Sequence, residues 1–130
     1  MSKVQEAHGH TVEIASTDDP AEPWLKSQHL NIHPLGPGRS YYRYAPRLLP
    51  WLRQHAKDYD AVIVNGLWQY TTHATWRALN KGSVPYYVFT HGMLDPWFKR
   101  TYPLKHLKKW LFWPWADYRA LRDAKAVFFT

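Results

Sequence analysis

Three short apolar runs govern what this chain can fold into: DAVIVNG (Asp60–Gly66), PYYVFTHG (Pro85–Gly92) and AVFFT (Ala126–Thr130). The first is a continuous apolar strand, the kind found in a parallel sheet covered on both faces, and the last reads as a buried strand. Between the runs lie stretches with helical spacing. APRLLPWLRQHAKD carries Leu48, Leu49, Leu52 and Ala56 on one side, with Pro46 suited to a first turn and Pro50 expected to reset or kink the helix. THATWRALNKG predicts a short helix ended by Gly82, and LKHLKKWLFWPWADYRALRDA one or two helices broken at Pro114. Upstream, SKVQEA reads as a helix tail stopped by Gly9, TVEIAST (Thr11–Thr17) as a β-branched strand, and HLNIHPL as a second short strand. Strands alternating with helices imply right-handed crossovers and an α/β, Rossmann-like doubly wound parallel sheet. The chain opens inside a helix and closes on a strand, which predicts a partial domain over residues 1–130 without the first strand of its sheet.

Ligands of such sheets sit beyond the carboxyl ends of the strands. That rule selects STDD, NGLWQY and THGMLD. In the last, His91 leaves a strand end onto Gly92, which lets the backbone turn tightly and approach a ligand. In the second, Asn65 can bond a sugar hydroxyl and Trp68 can stack on a sugar face. A plain Asn-Gly turn with the aromatic packed beneath it is the competing reading. Asp95-Pro96 matches a helix N-cap followed by a first-turn proline, with a ligand-binding carboxylate as the alternative. Asp18 and Asp19 precede Pro20 as a turn, since no GxGxxG comes before them to support a ribose contact. GPGR (Gly36–Arg39) looks like a phosphate loop, but Pro37 has no N–H to donate; Arg39 remains a candidate anion contact.

Charge narrows the partners. The balance is +7 and aromatics make up 17% of residues, a mixture that favours anionic partners and surfaces where an apolar ring keeps a polar tip. From Pro96 to Ala116 there is no acid, while Lys99, Arg100, Lys105, Lys108 and Lys109 alternate with Trp97, Trp110, Trp113 and Trp115. Such a segment suits a helix lying on anionic lipid, and Lys105, Lys108, Lys109, Trp110 and Trp113 are the candidate membrane-surface residues. An amphipathic helix with Trp and Leu facing the core is the plainer alternative, and single-stranded nucleic acid is the weakest of the three. The absence of cysteine excludes disulfides, thiolate zinc sites and a cysteine nucleophile. None of the eight histidines forms HExxH, so no metal is expected, and GxSxG is absent. The start has no apolar core of a signal peptide, and WLFWPWA is too short to span a bilayer. The lack of cysteine suits a reducing compartment, so the expectation is a cytoplasmic protein, with a peripheral place on the inner face of the plasma membrane left open.

GHTVEIASTDDP, PRLLPWLR, YDAVIVNGLWQY, TWRAL and above all PYYVFTHGMLDPWFKRTYPLKHLKKWLFWPWADYRALRDAKAVFFT resemble the N-terminal half of group 1 (family 4) glycosyltransferases, most closely those of bacterial surface-polysaccharide assembly. The resemblance covers nearly the whole chain. It implies the acceptor-side, Rossmann-like domain of a two-domain GT-B enzyme. Such an enzyme passes a sugar from a nucleotide-sugar donor to a glycan or lipid-linked acceptor, with retention of configuration and no metal or other cofactor. It places His91 at the reaction centre, with Gly92 allowing close approach. Relatives commonly carry HGLWQY where this chain has NGLWQY, so Asn65 departs from the pattern. The donor-binding second domain lies outside these residues, and the polypeptide alone is expected to be inactive. Two other readings stand beside this one: a basic, Trp-rich binding module without chemistry, and a vestigial product.

Overall fold

The computed structural model describes residues 2–92, 100, 104, 107, 111, 113–115 and 117–129. Helix α1 (Ser2–Ala7) ends at Gly9, whose φ of 87° is the left-handed conformation glycine adopts without strain. Strand β1 (Glu13–Ser16) pairs in parallel with β2 (Asn31–Pro34), and a 3₁₀ turn at Pro23–Ser27 lies between them. Helix α2 (Leu48–His55) runs into a 3₁₀ turn at Ala56–Asp58. Strand β3 (Val62–Asn65), helix α3 (Tyr70–Leu79), strand β4 (Tyr86–Phe89), helix α4 (Asp117–Asp123) and strand β5 (Ala126–Phe128) follow. Among the described residues every pairing between these strands is parallel, which is the Rossmann-like α/β class. The strands fall into two sheets, β1-β2 and β3-β4-β5.

Helix α3 joins the two halves. Its Tyr70 and Ala74 pack with Leu35, Ala45, Leu48 and Leu52 in one core, and its Leu79 packs with Val64, Leu67, Tyr86 and Val88 in the other. Ala78 touches both clusters. Pro50 neither resets nor kinks α2. The helix begins at Leu48, so the proline lies in the first turn, where backbone N–H groups have no intrahelical acceptor to lose. Pro46 lies before the helix rather than in it.

The three-stranded sheet is covered unevenly, which differs from the expectation of strands buried on both faces. Val64, Tyr86 and Val88 point to the helix side and are buried. The alternate positions point the other way, and there Ile63 and Phe128 are exposed. Phe129, just past β5, is 72% exposed, so AVFFT is not the buried strand its composition suggests. A continuous apolar run tells that a strand is hydrophobic on both sides; which side a helix covers depends on where the crossovers lie.

Two polar clusters make the fold acid-sensitive. Glu13 on β1 accepts hydrogen bonds from the Tyr59 hydroxyl and, at 2.7 Å, from His33 on β2. The Tyr59 bond, then the His33 bond, holds its carboxyl below the usual range. Asp123 accepts from the Arg122 guanidinium and from the Trp76 indole N–H and lies at about 2. His73 is displaced the same way for a different reason. Its half-buried ring is desolvated, Arg77 and Arg119 add positive potential, and its Nδ1 is buried without a hydrogen-bond partner among the described residues. All three groups bind protons more readily in the unfolded chain, so each stabilises the fold above its unfolded value and loses that effect as pH falls through the folded one. The thermal midpoint is therefore expected to fall in two stages. The first starts below the ordinary histidine value of 6.5. The second starts below 4.5, from Glu13, and continues to about 2, from Asp123. Calorimetry across this range checks the order: His73→Gln should flatten the first stage and leave the second.

Candidate functional site

Both loops at the carboxyl edge of the three-stranded sheet turn through left-handed backbone. Gly66 (φ 90°) and Trp68 (φ 64°) follow β3; His91 (φ 49°) and Gly92 (φ 73°) follow β4. For a residue with a side chain this conformation costs roughly 1–2 kcal/mol, so neighbours must hold Trp68 and His91 in it. The holding groups are visible. The Gly66 N–H donates to the Phe89 carbonyl at 2.8 Å, and the Thr72 hydroxyl donates to the Gly66 carbonyl at 3.2 Å. Leu67 is 1% exposed and fills the core beneath the loop. The Trp68 N–H donates to the carboxylate of Asp117, a residue 3% exposed at the start of α4.

The β4 loop is set by strand alternation continued one step past the ladder. Thr90 points inward and is buried, with its N–H donating to the Phe128 carbonyl at 3.0 Å. Phe89 and His91 therefore share the opposite, outer side. The Phe89 ring stacks on Phe128 at 4.6 Å and lies 6.2 Å from the His91 ring. Asn65 is the ladder partner of Phe89, which brings its side chain to the same side. His91 Nε2 and Asn65 Oδ1 meet at 3.0 Å, and both residues are exposed.

A second feature lies in the loop after β2. The N–H groups of Gly36 and Gly38 donate to the carbonyls of Asp18 and Thr17. These amides are used within the fold, so GPGR is not a phosphate cradle. A Cβ at Gly36 would collide with the Thr17 carbonyl oxygen, which restricts this position to glycine. Arg43 bonds Thr17 Oγ1, the Thr17 carbonyl and Asp18 Oδ1 at 3.2–3.3 Å, clamping the loop to the end of β1. Asp18 is thus committed to Arg43, and Asp19 accepts from the Ala21 N–H in a turn. Beside the clamp is an open hollow of about 400 Å³ lined by Ser40, Tyr41, Arg43 and Gln69. The Tyr41 side chain is fully exposed there. The neighbouring Tyr42 is pushed up to about 12 by desolvation and then by the Asp117 charge, so it stays a neutral hydroxyl.

The structure thus brings His91, Gly92 and Asn65 together at one sheet edge. Trp68 lies on the adjoining loop with its ring against Trp113 at 5.3 Å, and Trp113 is half-buried. Arg39 belongs to the β2 loop, where its backbone pairs with Tyr44 and its side chain is exposed; it does not line the hollow. Asp95, Lys105, Lys108, Lys109 and Trp110 lie outside the described residues. Sequence reasoning passed over Thr90, Asp117, Arg43, Tyr41 and Gln69. Thr90 had a signal, as the inward position before His91 in the alternation. Asp117 had one as the acid opening a helical run. Arg43, Tyr41 and Gln69 had none, because the hollow brings Gln69 against a loop more than 25 residues before it. Among the described residues no three His, Asp or Glu side chains gather as a metal would need, and no helix is long and apolar enough to cross a membrane.

Comparison with known proteins bears on what this edge does. No match is found among the curated proteins or among the solved structures. The family model described as the glycosyl transferase 4-like domain matches residues 1–130. With parallel α/β architecture and a histidine at the carboxyl edge of its sheet, the chain belongs to the glycosyl transferase 4-like family, and its chemistry is glycosyl transfer between a sugar donor and an acceptor.

Proposed function

We propose that this chain forms the acceptor side of a retaining, metal-independent hexosyltransferase site. It would take a nucleotide-sugar donor and build a surface glycan on a glycan or lipid-linked acceptor. The observation that carries this reading is the His91–Asn65 pair, exposed on left-handed loops where open parallel sheets place their ligands. His91 contacts the sugar being transferred, and Gly92 keeps the backbone narrow beside it. The hollow at Ser40, Tyr41, Arg43 and Gln69 suits a hydroxyl-rich acceptor: an exposed ring for a sugar face, with an amide and hydroxyls at its rim.

The resemblance puts donor contacts in a second domain. The test is transfer from labelled nucleotide sugars to glycan and lipid-linked acceptors, with a donor-binding domain supplied in cis or in trans. Label reaching an acceptor with its anomeric configuration retained supports the reading. Inversion, or strict dependence on a divalent cation, would overturn those parts of it.

A membrane role for the acid-free segment Pro96–Ala116 is supported by its five cations and its tryptophans. Binding to vesicles containing anionic lipid at low salt, lost at high salt, is the expected result. Equal recovery with neutral and anionic vesicles would count against it.

A further inference from the structure

We infer that Asn65 is a positioning residue for His91: it fixes which imidazole nitrogen carries the proton and which is left for the substrate. The inference rests on the transferase reading only for its consequence in turnover. The geometry stands without it. His91 Nε2 lies 3.0 Å from Asn65 Oδ1. A carboxamide oxygen only accepts, so the bond requires the proton on Nε2. The neutral ring is thereby held with Nδ1 bearing the lone pair. Nδ1 becomes the nitrogen that can accept a hydrogen bond or a proton from a sugar hydroxyl.

Three further restraints make the pairing a built arrangement. Asn65 and Phe89 are ladder partners, so the asparagine backbone and the side it faces are set by the strand pair and not by a loop. Phe89 lies against the His91 ring with an interplanar angle of 28°, limiting its rotation. The buried Thr90 between them is tied to the Phe128 carbonyl by both its N–H and its hydroxyl, which sets where His91 leaves the strand. The left-handed φ at His91 is then the consequence of a backbone pinned on one side and a ring pinned on the other.

An asparagine does this differently from a charged or apolar residue. An aspartate at position 65 would also accept from Nε2, but its charge would favour the imidazolium, which has no free lone pair. A leucine of similar size would leave both nitrogens unassigned. Side-chain nitrogen NMR of the 130-residue protein, labelled at histidine, reads these states without any turnover. In the parent protein the neutral His91 ring should be the Nε2–H form. Asn65→Leu should relax it to a mixture of tautomers. Asn65→Asp should keep the proton on Nε2 and raise the imidazolium share of the ring at a given pH. Asn65 is exposed, so all three proteins should fold alike, and far-UV dichroism checks that. An Nδ1–H ring in the parent protein, or a tautomer balance unmoved by Asn65→Leu, would overturn the assignment. A correct tautomer without detectable transfer would instead leave the assignment standing and count against the transferase reading.

Discussion

Replacing His91 with alanine is expected to cut sugar transfer by about 100- to 1,000-fold, the usual cost of deleting one side chain directed at the reacting group. The loss should appear in kcat, because a group that acts on the reacting centre stabilises the transition state more than bound substrate. Stability should change by less than about 1 kcal/mol, since an exposed side chain is removed and the backbone anchors at Thr90 remain. The assay is the labelled-sugar transfer described above, paired with thermal unfolding of the same preparations. Full activity in His91→Ala would remove the histidine from the chemistry and return the edge to a structural role. A similar collapse of activity and stability together would mean that His91 serves the fold.

The second large effect is expected at Leu67. This residue lies between Gly66 and Trp68 in the loop that follows Asn65, yet it is only 1% exposed and belongs to the core with Val64, Leu79 and Val88. Leu67→Ala should cost about 2–5 kcal/mol, through lost burial and the cavity left behind. For a chain of this size that lowers the thermal midpoint by roughly 10 °C or more. It should also slow transfer, since the loop loses its peg, and the His91–Asn65 bond should weaken in the NMR experiment. Leu67→Met, which keeps the volume, should cost less than about 1.5 kcal/mol. If alanine were tolerated as well as methionine, the loop would be held by its hydrogen bonds to Phe89, Thr72 and Asp117 alone.

The pair at the sheet edge shows how far residues in order can be read as residues in space. Asn65 and His91 could each be picked from the chain because both end an apolar run, and strand ends of α/β sheets are where ligands go. That they touch could not be picked. Their contact depends on β3 and β4 being neighbours in parallel with Asn65 opposite Phe89. A one-residue slip in that register would send Asn65 to the helix side. Trp68 is a second case: its place after a strand end is legible in the chain, while the approach of its ring to Trp113, a residue 45 positions away, is not.

Local chemistry decided what the sequence could decide. Continuous β-branched and aromatic runs separated by helical spacing determined a parallel α/β fold, because a strand must bury its apolar faces and a parallel partner needs a crossover. Gly9 determined a helix stop, and glycine or histidine at strand ends determined where tight left-handed turns could form. Tertiary structure alone decided the division into two sheets, the exposed outer side of β5, the commitment of Asp18 to Arg43 and the support of Trp68 by Asp117. Each of these joins segments at least 18 residues apart or depends on which face a crossover covers. Such contacts are set by the register and packing of whole elements, and no short window of residue types contains that information.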